Sequence, residues 1–109
     1  MDVRDKSKKL RYDLIPPELI EGLAEIYTRG AEVHGDRDWE EHPYKFSERF
    51  ASAERHGWDW YKGNDLDPDG TGLNQALQAM FNWGLLYVYQ KRGIGTDDRR
   101  PILGTARRV

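Results

Sequence analysis

The sequence contains no cysteine. That absence rules out disulfide frameworks and thiolate metal sites, and it is compatible with a reducing compartment. No run approaches the roughly eighteen uninterrupted apolar residues of a membrane-spanning helix. The charged opening Met1-Asp2-Val3-Arg4-Asp5-Lys6 has no apolar signal region behind it. The expected location is therefore the cytoplasm, with no membrane partner. Net charge is also scarce, only −2 over 109 residues. Nucleic-acid affinity comes largely from neutralising many phosphates, so direct nucleic-acid binding is not expected. Internal repeats and strand-like alternation are missing. A chain of this length supports one domain and buries roughly 65 % of its unfolded surface.

The small net charge hides an uneven distribution. Arg4, Lys6, Lys8, Lys9 and Arg11 outweigh Asp2 and Asp5 at one end, and four arginines outweigh Asp97 and Asp98 after residue 93. The middle is acidic. Such a pattern suits a body that gathers divalent cations and arms that meet phosphates, and it suits equally well two plain solvated tails. The expected organisation is a flexible basic N-terminus over 1–10, a helical domain over 11–92 and a basic tail over 93–109 that is extended or mobile.

Three helices are expected, and the fold class is all-α. Pro16-Pro17-Glu18 reads as a helix start, because proline at the first helical position loses no hydrogen bond and an early glutamate complements the dipole. This helix should run from Pro17 to His34, with Leu19, Ile20, Leu23, Ile26 and Tyr27 on one side and Gly35 as the stop. Residues 35–46 read as a loop. A second helix is expected from a Ser47 cap to Lys62, with the stripe Phe50, Ala51, Gly57, Trp58 and Tyr61. A third is expected from a Thr71 cap to Arg92, apolar around most of its circumference and hence central.

Several groups of residues could carry chemistry. Asp65-Leu66-Asp67-Pro68-Asp69-Gly70 spells the opening of a calcium-binding loop. The match fails at its twelfth position, which is Ala76 rather than a bidentate glutamate. Magnesium or manganese at the three carboxylates Asp65, Asp67 and Asp69 is a second reading, and a polar turn that caps the next helix is a third. Glu18, Glu21 and Glu25 have ligand-like spacing but lie opposite the apolar stripe, which reads as a solvated face. Glu54 falls within the stripe of the second helix, where a carboxylate needs a partner or a metal. His56 sits on that helix's other side and reads either as a hydrogen-bonded structural group or as a catalyst. Asn74, Gln78 and Asn82 form a column on the last helix, suited to reading a base edge or to cross-linking helices.

Arg11-Tyr12-Asp13-Leu14-Ile15-Pro16-Pro17-Glu18 is followed in order by Tyr27-Thr28-Arg29-Gly30-Ala31-Glu32, Gly35-Asp36-Arg37-Asp38-Trp39, Arg55-His56 and Gly63-Asn64-Asp65-Leu66-Asp67-Pro68. Over roughly residues 10–90 the chain resembles the N-terminal domain of the phage-type dATP/dGTP diphosphohydrolases, a branch of the MazG-like nucleotide pyrophosphohydrolases. The resemblance implies a MazG-like helical bundle completed by homo-oligomerisation, as a dimer or tetramer, in the cytoplasm of a phage-infected bacterium. It also implies hydrolysis of a purine nucleoside triphosphate to the monophosphate and pyrophosphate, with Mg, Mn or Co as the divalent metal.

On that reading Asp65, Asp67 and Glu54 hold metal, and His56 and Glu54 are catalytic. Arg37, Arg55, Trp39, Trp60, Asn74, Gln78 and Asn82 then contact substrate. The chain departs from the family pattern where lysine is common at Val33, tyrosine at His34, asparagine at Asp38, glutamate at Asn64, and histidines at Gln75 and Gln78. Glutamine does not titrate. Two alternatives therefore stay beside the enzyme: a catalytically reduced nucleotide-binding or partner-inhibiting phage protein of the same fold, and a structural or calcium-binding helical module.

Overall fold

The computed structural model describes residues 8–68 and 70–100. Most of the basic N-terminal arm, the candidate calcium ligand Asp69 and the end of the basic tail lie outside these residues. The described chain is all-α: a 3-10 turn at Tyr12–Leu14 precedes α1 (Pro17–His34), α2 (Asp38–Glu41), α3 (Phe46–Tyr61) and α4 (Gln75–Arg92). No helix among them is long and apolar enough to cross a membrane. The pairings of Lys45 with Thr96 and Leu66 with Asn74 are isolated bridges.

α1 has the expected bounds. Pro17 starts it, and Gly35, at φ +92°, ends it by donating its N–H to the Ala31 carbonyl at 2.9 Å. Where α1 meets α4 the backbone comes close, because a Cβ on Gly22 would lie 2.6 Å from Leu77 Cδ2. The segment after α1 is not wholly a loop. Arg37 adopts the left-handed conformation at φ +58° and leads into the single turn of α2, whose Asp38, Glu40 and Glu41 complement the helix dipole.

Two helix starts differ from expectation, for one reason: the anticipated cap residue is engaged elsewhere. Ser47 does not cap α3. Its N–H and hydroxyl donate to Asp98 at 2.9 and 2.5 Å, and the helix begins one residue earlier, with the Lys45 N–H donating to Glu48 Oε1. Thr71 does not cap α4 either; its hydroxyl accepts the Leu73 N–H, while Asn74 caps the helix by accepting from Ala76 N at 2.7 Å. The loop before α4 folds back on itself, with Asp67 N bonded to Leu73 O at 3.0 Å and Gln75 N to Asp65 O at 2.8 Å.

α4 is the central element, with α3 packed along it and α1 in a smaller contact with it. Phe46, Leu86 and Tyr89 form the core cluster, with Trp39 and Ile94 packed on it. Gly93, at φ +67°, ends α4 after Arg92, the expected last residue. The following segment docks rather than trailing away: Ile94 N donates to Tyr89 O at 3.0 Å and Phe46 N to Thr96 O at 2.9 Å. Burying Ile94 and satisfying Phe46 N, one of the free donors of the α3 terminus, account for the docking.

Candidate functional site

A cleft of about 800 Å3 opens between the four helices. Its position follows from how α3 divides its two faces. Arg49, Ser52 and His56, at i, i+3 and i+7, turn to the cleft. Glu54, Trp58 and Tyr61 turn away, into a shallower hollow of about 400 Å3 that also includes Trp60. The α3 stripe read from the sequence is therefore largely an exposed aromatic face, with Trp58 59 % and Tyr61 74 % accessible. The burial expected around Glu54 is absent for the same reason.

Of the anticipated site residues, Arg37, Trp39, His56, Gln78 and Asn82 share the cleft. Arg37 stands exposed at the rim, 4.0 Å from Glu40. Asn74 serves α4 as its cap, and Arg55 is exposed and donates to Ser52 Oγ at 3.0 Å. Asp65 is exposed, whereas Asp67 is half-buried and accepts from Gln78 Nε2 at 3.4 Å. Glu54 does not join these aspartates. Among the described residues no three His, Asp or Glu side chains converge as a metal cage.

The cleft walls are aromatic. Tyr27 meets Phe81 edge-on at 5.0 Å between centroids and Trp39 at 6.1 Å. Burial pushes the Tyr27 hydroxyl above its ordinary pKa, with the positive charge of Arg49 pulling the other way. Trp39 is fixed from behind, because the Tyr89 hydroxyl donates to its carbonyl at 2.8 Å. Arg92 lies 5.4 Å from the Trp39 ring centroid and pairs with Glu40.

The amides are buried and ordered. Asn82 Nδ2 donates to the Gln78 carbonyl at 3.0 Å, and Gln78 Nε2 donates to the Thr71 hydroxyl. Gln75, 2 % exposed, controls His56. Its Nε2 donates to the Leu66 carbonyl at 3.3 Å, which directs Oε1 at His56 Nδ1, 2.7 Å away. An amide oxygen only accepts, so Nδ1 carries a hydrogen, and the tautomer this selects has its lone pair on Nε2. The glutamine at 75 thus sets a tautomer, a role that ligand spacing could not reveal. Arg49, Tyr27 and Phe81 were also missed by sequence reasoning, and only the helical period linking Arg49 to His56 signalled any of them.

Such a space can stack a planar ring, hydrogen-bond its edge, hold an anion and accept a proton at His56 Nε2. This makes the chain an all-α domain with an aromatic, amide-lined cleft between its helices. The family model described as dATP/dGTP diphosphohydrolase, N-terminal, matches residues 2–99, and the chain belongs to that family. Comparisons with curated proteins and with solved structures gave no match.

Proposed function

We propose that this protein is a metal-dependent pyrophosphohydrolase of purine (deoxy)nucleoside triphosphates, acting in the bacterial cytoplasm during phage infection and releasing the monophosphate and pyrophosphate. The observation that carries the reading is His56, oriented by Gln75, inside an aromatic and amide-lined cleft of a chain in this family. Trp39, Tyr27 or Phe81 supplies a face for the base, and Gln78 and Asn82 supply donors and acceptors for its edge.

His56 Nε2 accepts a proton from water as the water oxygen bonds to the α-phosphorus. The bond from that phosphorus to the bridging oxygen breaks, and pyrophosphate leaves with the electron pair. A divalent ion, Mg2+, Mn2+ or Co2+, would neutralise charge on the phosphates. Among the described residues no three donors converge, and an ion carried in by the triphosphate needs only one or two carboxylates from the protein; Asp67 is the candidate.

Incubating the pure protein with each deoxynucleoside and ribonucleoside triphosphate and each metal, then separating the products, tests this reading. Purine nucleoside monophosphate and pyrophosphate are expected in equal amounts. A second reading, binding without turnover, is favoured by two non-titrating amides, Gln78 lining the cleft and Gln75 behind His56. Its expected result is saturable binding of intact triphosphate. The exposed aromatics Phe50, Trp58, Trp83 and Tyr87 support assembly with further copies of the chain, to a dimer or tetramer.

A further inference from the structure

The least compensated guanidinium in the cleft is that of Arg49. Arg37 and Arg92 both pair with Glu40, and Arg29 pairs with Glu32 at 3.4 Å. Among the described residues no carboxylate pairs with Arg49. Its Nη1 donates to Asn82 Oδ1 at 3.1 Å, and its guanidinium carbon lies 4.2 Å from the Tyr44 ring centroid and 5.8 Å from that of Phe81. Its Nε is buried without a hydrogen-bond partner. Two aromatic faces and one amide oxygen offset only part of the cost of taking a cation out of water, which runs to several kcal/mol. An anion at the remaining N–H groups would offset the rest.

The guanidinium fork matches a phosphate better than any other common cation in proteins, because two parallel N–H groups meet two oxygens. Arg49 and His56 lie seven residues apart on the cleft face of α3, about 10 Å along the helix axis. That is the scale of a phosphate chain laid along one helix.

We propose that Arg49 is the phosphate receptor of the cleft, its guanidinium pairing directly with oxygens of the ligand's phosphate chain while Asn82 and Tyr44 hold it in place. The proposal rests on the nucleotide reading above and deepens it by orienting the ligand: phosphates along the α3 face from Arg49 towards His56, base against the aromatic wall.

The test compares the native chain with Arg49→Met and Arg49→Gln. Calorimetry measures binding of inorganic tripolyphosphate, a non-hydrolysable dATP analogue and deoxyadenosine, each with magnesium, and melting temperatures are recorded without ligand. Both variants should bind the analogue and tripolyphosphate about 10- to 100-fold more weakly, with deoxyadenosine affinity unchanged. The Arg49→Met melting temperature should equal or exceed the native one, because removing an uncompensated half-buried charge is neutral or stabilising. A variant analogue affinity within twofold of native overturns the proposal. So does an equal loss for deoxyadenosine together with a lower melting temperature, which would mark Arg49 as structural. If Arg49→Met does not fold, Arg49→Gln decides by the same criteria. Native binding of tripolyphosphate but of neither nucleotide nor nucleoside, lost in both variants, supports the phosphate receptor and defeats the nucleotide reading. No binding of any of the three defeats both.

Discussion

Tyr89→Phe removes one oxygen atom and thereby asks what holds the cleft's aromatic wall. Tyr89 is fully buried, and its hydroxyl donates to the Trp39 carbonyl at 2.8 Å, tying α2 to the middle of the fold. The ring stays in place against Phe46, 6.4 Å between centroids and nearly parallel, so packing changes little. The expected loss is that of one hydrogen bond plus part of the cost of an unpaired half-buried carbonyl, about 1–2 kcal/mol, or roughly 5–10 °C in melting temperature for a domain of this size. Urea unfolding should show a lower midpoint with an unchanged slope. Tyr89→Ala should cost about 3–5 kcal/mol, because it also opens a cavity. In the same preparations Tyr89→Phe should weaken nucleotide binding, since Trp39 lines the cleft. If the Phe variant matches the native chain in both stability and affinity, the hydroxyl does not hold α2, and the placement of Trp39 needs another cause.

Gln75→Leu should leave nucleotide affinity within a few-fold of native while cutting turnover about 10²-fold or more, because His56 loses the partner that keeps Nε2 free; steady-state kinetics beside calorimetry separates the two effects. Arg92→Ala should cost less than about 1 kcal/mol of stability, its pair with Glu40 being largely exposed, yet should weaken nucleotide binding by loosening Trp39. On acidification the docked segment after α4 should detach. The hydrogen bond from Ser47 depresses the Asp98 pKa, and Arg99 holds Asp97 down to about 2, so the contribution of both is present above the ordinary carboxylate pKa and is lost as pH falls towards 2. Protection of the Ser47 amide, its exchange rate relative to the intrinsic rate at the same pH, should fall over that range, and in Asp98→Ala it should already be low at neutral pH. Trp58→Ser with Trp83→Ser should lower the solution mass if copies of the chain cover that face.

The elements that were legible in the sequence are those fixed by local chemistry. Pro17 and Gly35 bound α1 because each imposes its backbone conformation without help from distant residues. The start of α4 was misplaced because Thr71 and Asn74 are both good caps, and the choice between them is made by the Leu66 and Asn74 pairing across the loop. Four residues are too few for a period to reveal α2. Gln78 and Asn82 could be read as a site because amides on an otherwise apolar helix stand out. Arg49 was signalled only by its helical period with His56, which is too little, because arginine on an amphipathic helix looks like a solvated face until Asn82, thirty-three residues away, is seen beside it. Glu54 failed in the opposite sense: the apolar stripe it interrupts is exposed in a single copy of the chain, so helical periodicity pointed to a core that is not there.

The central claim is hydrolysis at the α-phosphorus within the cleft, and isotope placement tests it most directly. Native protein is incubated with dATP or dGTP and manganese in 18O-labelled water, and the products are separated and weighed by mass spectrometry. The account predicts monophosphate and pyrophosphate in equal amounts, the label in the monophosphate, and a rate at least about 10²-fold lower in His56→Ala. Intact triphosphate, label in the pyrophosphate, release of orthophosphate instead, or an undiminished rate in His56→Ala would contradict it.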